Sequence, residues 1–328
     1  VASVVKDVTV EDPELSLAQK ADGTWNVSNL LKPSDSSDSG VFTGKVIISG
    51  GTAKVKTNAA GELAFSSLNG SFAWDENSAI TGGLKGTFLD SAFKSSLDYK
   101  DSNHLEINVS TDPIPLKSFS PLLDAFPQLQ NQLTLEDGTG KVTDAKIWKS
   151  DGAVAYRVTG SFNHAALSYD NYVLADGAAF FNIENGLVSL SQVSGTVNGQ
   201  KLSGEVSVDA TGESPVFEGN VFLHKVDLTA LLPEEGISGI LDGNVNFSGT
   251  TDNPSVSGAL TGKRLSYEGY DVERAKAVFA YHDDQLTLSH LEADRDGGHV
   301  EGKASYDRRS GDLSIWRDCL FLPLSAAL

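Results

Sequence analysis

The chain has no methionine, one cysteine, and no apolar run of the roughly 18 residues that a membrane-crossing helix needs. A single cysteine, Cys319, excludes an intramolecular disulfide framework and a C-x-x-C metal site, and such scarcity suits an oxidising compartment where stray thiols are a hazard. No signal-peptide pattern is visible, so the expectation is a segment that does not itself span a membrane. With valine at position 1 and methionine absent, it reads as a processed or excised part of a longer protein whose anchor lies upstream.

Positive charge is also short. Lysine and arginine number 25 against 44 acidic residues, a formal charge of -19, with no basic cluster to follow a phosphate backbone. Nucleic acid is therefore excluded as a partner. The same charge repels an anionic membrane surface, although a protein that meets lipid in an interior groove needs no basic exterior.

Catalytic and metal-binding patterns are missing as well. No G-x-S-x-G elbow occurs, and the neighbouring carboxylates Asp283 and Asp284 point to opposite strand faces or form a turn instead of flanking a cleft. Gly40 to Lys45 and Gly258 to Lys263 are each one residue short of a phosphate loop and lack the Ser or Thr after the lysine. His282, His290 and His299 have no helix-face spacing with carboxylates, and Asp294 to Gly298 lacks the further oxygen ligands of a calcium loop. The Asn-x-Ser matches at Asn26, Asn69, Asn108 and Asn246 matter only in a eukaryotic secretory setting. The expectation is no enzyme, no catalytic residue, no cofactor and no metal.

What is present is alternation. Leu105, Ile107, Val109, then Val154, Tyr156, Val158, then Leu286, Leu288 place apolar side chains at every second position, the period of a strand with one apolar face. Asp22-Gly23, Asn69-Gly70, Asp151-Gly152, Asn198-Gly199 and Asp296-Gly297 separate such runs and supply the left-handed conformations of tight hairpins. The result is an antiparallel β-meander. With 40% hydrophobic residues the chain can bury the core of two ordinary domains or one extended one.

Helical signal is confined to two places. Leu116, Phe119, Leu122, Leu123 and Phe126 recur at three- and four-residue spacing, predicting a helix over 116–126 that is weakened by Pro121. A shorter one spans Leu228 to Leu232, stopped by Pro233. Each carries a Leu-Leu pair, as equivalent plugs or caps in successive units would.

An internal repeat organises the second half. Residues 160–209 align without a gap on 258–307 at a constant offset of 98, matching Gly160, Leu167, Ser168, Tyr169 and Tyr172 to Gly258, Leu265, Ser266, Tyr267 and Tyr270. Further on, Phe181, Leu190, Gly199, Gly204 and Asp209 match Phe279, Leu288, Gly297, Gly302 and Asp307. Recurrence of the tyrosines at equal places points to packing. A unit of a few strands cannot bury its apolar face alone and is completed by neighbours. Roughly twenty strands about 4.8 Å apart predict an elongated body on the order of 100 Å. The expected divisions are an N-terminal β unit over 1–33, a loop at Ser34 to Ser39, a continuing β unit over 40–159, repeats over 160–257 and 258–315, and an atypical tail over 316–328.

The segment Val8 to Leu17 (VTVEDPELSL), followed by Asp22-Gly-Thr-Trp-Asn-Val27 and Leu30-Leu31, resembles the opening of AsmA-like repeats. Gly239 to Asp307, with Gly243, Gly249, Pro254 and Gly258 leading into the repeat, resembles the degenerate units of TamB in the same superfamily. This resemblance implies an all-β sheet folded lengthwise into an open apolar trough, a β-taco, anchored in the inner membrane and reaching across the periplasm. It also implies bridge-like phospholipid transport or support of outer-membrane assembly with an outer-membrane β-barrel partner. The family region linked to that partner is not recognisable here, since the pattern breaks after Trp316.

Residues expected on the lipid-binding track are Leu15, Leu17, Val46, Ile48, Leu105, Ile107, Val109, Phe181, Leu190, Phe279, Leu286 and Leu288, with phospholipid acyl chains as ligand. The rival reading is a surface adhesin or polysaccharide-binding β-repeat protein in which the same residues form a sealed core.

Overall fold

Apolar and β-branched alternations broken by Asn, Asp and Gly turns build strands, and the computed structural model contains twenty of them among the residues it describes. It describes residues 6–22, 24, 26, 42–57, 61–101, 103–125, 133–150, 153–212 and 214–321. Trp25, Val27, Leu30, Leu31, the serine-rich loop, Gly23 and the Asp151-Gly152 pair lie outside the described residues.

The chain opens with β1 (Asp7–Glu11) and β2 (Glu14–Ala18), followed by β3 (Gly44–Thr57), β4 (Gly61–Trp74), β5 (Ile80–Phe88), β6 (Ser91–Asp101), β7 (His104–Thr111) and the two-residue β8 (Ile114–Pro115). A 3₁₀ segment, Leu116–Ala125, leads to β9 (Leu133–Ser150) and β10 (Ala153–Tyr169). Then come β11 (Tyr172–Glu184), β12 (Leu187–Val197), β13 (Gln200–Asp209), β14 (Val216–Asp227), helix α1 (Leu228–Leu231) and β15 (Ile237–Gly249). The last five are β16 (Pro254–Tyr267), β17 (Tyr270–His282), β18 (Gln285–Arg295), β19 (Gly298–Asp307) and β20 (Leu313–Phe321).

Two units result, residues 1–170 with 182–185, and residues 171–181 with 186–328. In the first, β3, β4, β5, β6, β7, β9 and β10 form a consecutive antiparallel ladder, with β8 joining β9 beyond β7. In the second, β12 to β20 pair antiparallel in strict chain order. The meander is thus observed in each unit, with one departure from the antiparallel expectation: β1 and β2 both run parallel to β3. Asp12-Pro13 divides them because proline has no N–H for the ladder. Asp12, at φ 48°, faces the bulge at Gly50, at φ 71°, while Asp12 N donates to Ser49 O at 2.7 Å and Thr52 N to Pro13 O at 2.8 Å.

Hairpins at Leu89-Asp90, Asn185-Gly186, Asn198-Gly199, Glu268-Gly269, Asp283-Asp284 and Asp296-Gly297 have both turn residues at positive φ, the type I′ geometry that matches strand twist. Asn69-Gly70 is no hairpin; both residues lie inside β4. The repeat is visible in element bounds, since β11, β12 and β13 become β17, β18 and β19 when 98 is added to each end. Trp316 does not end the pattern, because β20 runs on to Phe321 with a register shift between Glu301 and Gly302 absorbing the break in alternation.

The first predicted helix is a 3₁₀ segment over Leu116–Ala125, consistent with Pro121 removing an α-type donor, and Phe126 lies outside the described residues. The second is α1, one turn whose Asp227 N-cap accepts from Thr229 N at 3.0 Å. Among the described residues no helix is long and apolar enough to cross a membrane.

Candidate apolar binding face

Residues paired across a ladder share a face, so register assigns every strand position to one side of its sheet. In the first unit one row runs Val8, Val46, Phe72, Gly82, Leu97, Ile107, Ile147, Tyr156. The next residue along, on the other face, gives Thr9, Ile47, Ser71, Gly83, Ser96, Asn108, Lys146, Arg157.

Separation is cleaner in the second unit. Leu190, Val206, Gly219, Phe247, Val256, Tyr281, Leu286, Tyr306 and Leu313 form one row over nine strands. A second apolar row is Val193, Gly204, Val221, Val245, Gly258, Phe279, Leu288, Ala304, Ile315. On the opposite face Glu205, Asn220, Asn246, Ser257, Ala280, Thr287, Ser305 and Ser314 line up.

Strict alternation would lose this face wherever the chain bulges, and the sequence compensates. Leu190 and Val193, Leu223 and Val226, and Leu288 and Leu291 are three residues apart, and a register shift falls inside each interval. The extra residue keeps both flanking side chains on the apolar side and bends the strand. Gln192 and Lys225 sit at φ 52° and 51° within two of these bulges. Asp242 Oδ1 accepts from Lys225 N at 2.9 Å, and in the first unit Asn69 Oδ1 accepts from Gly50 N at 3.1 Å, so the backbone donors freed by bulging are satisfied.

Glycine recurs on the apolar face opposite phenylalanine. Phe72 faces Gly82, Phe93 faces Gly86, Phe162 faces Gly140, Phe247 faces Gly219 and Phe279 faces Gly258. A Cβ at Gly258 would lie 3.0 Å from Phe279 Cε1, which places the ring across the glycine instead of upright. These rings lower the relief of the face, and of them sequence reasoning selected only Phe279.

Of the twelve predicted track residues, Val46, Ile48, Leu105, Ile107 and Val109 fall on the apolar rows of the first unit, with Leu15 and Leu17 beside Ala53 and Val55 on the same side. Leu190, Phe279, Leu286 and Leu288 fall on those of the second. Phe181 is half-buried beside exposed Phe180 in β11. Leu15 is exposed at 48%; the others are half-buried. Fully buried large side chains are confined to Ile114 and Val226 among the described residues, one beside each helical segment. A small cluster of Ala53, Leu68 and Phe93, with Phe65 stacked on Phe88 at 4.8 Å, is the tightest part of the first face.

Tyr169, Tyr172, Tyr267 and Tyr270 are all exposed, between 41% and 70%, where the repeat predicted packing.

The polar faces carry charged pairs. Lys146 Nζ lies 2.9 Å from Glu106 Oε2 and 5.9 Å from the Trp148 ring centroid. That hydrogen bond, then one from Asn108, holds the Glu106 carboxyl below its ordinary range. Lys276 at 2.8 Å, then His290 at 2.7 Å, do the same for Glu292. Asp284, in its hairpin turn, accepts from Arg309 at 2.7 Å and from Tyr281 at 3.2 Å. Among the described residues no three His, Cys, Asp or Glu side chains converge as a metal would require. Two shallow depressions have mixed linings, one of about 380 Å³ where Leu105 and Trp148 meet Lys146, Arg157 and Glu184, and one of about 520 Å³ where Leu190, Val206 and Phe247 meet Glu205, Asn220 and Ser257.

Comparison with family models, curated proteins and solved structures finds no match for the chain.

Proposed function

We propose that this chain is the periplasmic part of an envelope-spanning protein of the AsmA/TamB kind, holding phospholipid acyl chains on its apolar faces and conducting them between inner and outer membranes or supporting outer-membrane assembly. The inner membrane is reached through an anchor outside the segment, and an outer-membrane β-barrel is the expected partner. The supporting observation is the register: apolar residues share one face of strand after strand, yet remain half-buried instead of sealed.

Such a face answers a physical need. Exposing a lipid tail to water costs about 0.8 kcal/mol per methylene, so a two-tailed lipid faces a barrier of tens of kcal/mol. An apolar surface without one dominant contact removes most of that barrier and lets the tail slide, with the headgroup kept in water. The folding of each sheet into a trough belongs to this proposal.

Photo-crosslinkers at Ile107 and Leu288, one in each unit, test it in cells, together with mass spectrometry of natively purified protein. Phospholipid captured at both sites is expected. Lipid-free protein and crosslinks only to the chain's own residues would leave the sealed-core adhesin reading in place.

A further inference from the structure

On a chain whose formal charge is -19, the depression of about 380 Å³ in the first unit is lined by four basic residues, Lys100, Lys146, Lys149 and Arg157, and by Trp148. Register brings Trp148, Lys146 and Arg157 onto one face. Asp98, Glu106 and Trp148 pair in one cross-strand row, and Asn108, Lys146 and Arg157 in the next row of the same face. The volume falls within the roughly 300–1,000 Å³ of small-molecule sites.

Part of this charge is already answered. Lys146 lies 2.9 Å from Glu106, and Lys100 lies 3.9 Å from Asp98. Among the described residues Arg157 and the half-buried Glu184, both lining the depression, have no hydrogen-bond or ion-pair partner for their side chains. Lys149 is a second cation without one. Asn185 N donates to Tyr156 O at 3.2 Å, which sets Glu184 beside Arg157 on the neighbouring strand, yet the two form no ion pair.

A ligand that bears one charge of each sign satisfies both, its negative end on the guanidinium and its positive end at the carboxylate and the indole face. That ring already receives an ammonium, Lys146 Nζ, 5.9 Å from its centroid. A purely anionic ligand instead meets the unpaired Glu184 and the negative field of the whole chain. A purely cationic one meets Arg157 and Lys149. Leu105 ties the depression to the apolar face, since it lines the one and alternates with Ile107 and Val109 on the other. We infer that the depression is a headgroup site for a zwitterionic phospholipid, an assignment that rests on the acyl-chain proposal: phosphate on Arg157, ammonium at Glu184 and Trp148, and tails running on past Leu105.

The whole chain is incubated with equimolar phosphatidylethanolamine and phosphatidylglycerol of identical acyl chains in detergent micelles, and retained lipid is quantified by mass spectrometry. Total lipid reads the acyl-chain proposal, and the headgroup ratio reads this site. Phosphatidylethanolamine is expected in about fivefold excess, falling to near equality in Arg157→Gln and in Glu184→Gln with total lipid unchanged. Arg264→Gln, at an exposed arginine of the second unit that also lacks a partner among the described residues, is expected to change neither reading. Circular dichroism melts check that each variant is folded. Equal retention of the two lipids by the parent chain, a preference for phosphatidylglycerol, or a ratio unmoved by both variants would each overturn the site. If no lipid is retained, the acyl-chain proposal fails by itself, and calorimetric titration with O-phosphoethanolamine decides the site. Saturable heat that is lost in Arg157→Gln keeps it as a site for the free zwitterion, and no saturable heat ends it.

Discussion

Single polar side chains answer backbone groups that the bulges free. Asn69 accepts from Gly50 N at 3.1 Å and donates to Ser67 O at 2.7 Å, answering backbone groups on both sides of one irregularity. Removing it hands a donor and an acceptor at an exposed site over to water, so Asn69→Ala is expected to destabilise the first unit by about 0.5–1.5 kcal/mol. A thermal melt checks this; an unchanged midpoint would mean that water replaces the amide without loss. Asn69-Gly70 also shows where residue-level reading fails. The same dipeptide that favours a hairpin turn can anchor a bulge, and only the partner strand decides which.

Charge at the residue scale predicts behaviour in acid. Glu106 and Asp284 both have carboxyls held below their ordinary values, 4.5 and 3.8, chiefly by hydrogen bonds from Lys146 and Arg309 respectively. A depressed folded-state pKa contributes stability that is fully present above the unfolded value and lost as pH falls through the folded one. Both pairs are solvent-facing, so the effect is small and screened by salt. Between pH 7 and 5 the melting temperature should therefore be nearly flat with respect to these groups, and should decline below about pH 4.5. In Glu106→Gln part of that decline disappears; an identical acid profile would show that the ion pair contributes nothing.

At the element scale, much was legible and the remainder has definite causes. Period-two alternation and the Asn198-Gly199 and Asp296-Gly297 turns sufficed for the β12–β13 and β18–β19 hairpins, because that turn chemistry is local, whereas the Asp283-Asp284 turn between β17 and β18 carries no glycine to mark it. The parallel pairing of β1 and β2 with β3 was not legible: it depends on a long-range return of the chain that no local pattern encodes. The bulges did leave a trace, in apolar pairs spaced by three inside strands, as in Leu190 and Val193 or Leu288 and Leu291. That spacing breaks alternation and is easily read as noise. Phe–Gly pairing was invisible for a related reason, since Gly219 and Phe247 are 28 residues apart and meet only through register. Gly140→Val tests that pairing, because the first atoms a Cβ there would meet belong to the Phe162 ring, at 3.3 Å, and not to the backbone. Its branched side chain must displace that ring, and a loss of about 1–3 kcal/mol is expected, against little change for Lys141→Val at the neighbouring exposed position on the other face. Val226→Ala and Ile114→Ala, at the two fully buried positions, should each cost about 2–4 kcal/mol, which a denaturant titration resolves.

For the molecule as a whole, an uncovered apolar face and a sealed core predict opposite outcomes for the same charge. Leu288 and Thr287 are neighbours in β18 on opposite faces, Leu288 between Phe279 and Ala304, and Thr287 between Ala280 and Ser305. In a sealed core, Leu288→Lys buries an ammonium without a partner and costs several kcal/mol, enough to unfold a marginal protein. On an uncovered face the ammonium reaches water and the fold survives, while an acyl chain laid over it must strip that hydration. Leu288→Lys is accordingly expected to keep strand content and melt within a few degrees of the parent, yet to carry at least about tenfold less co-purifying phospholipid, with Thr287→Lys unchanged in both. The discriminating quantity is the pair of readings together. Lipid lost with the fold intact identifies the face as the binding surface, whereas a fold lost before any lipid is measured means that the protein covers Leu288 itself, and acyl-chain binding must then be given up for the second unit.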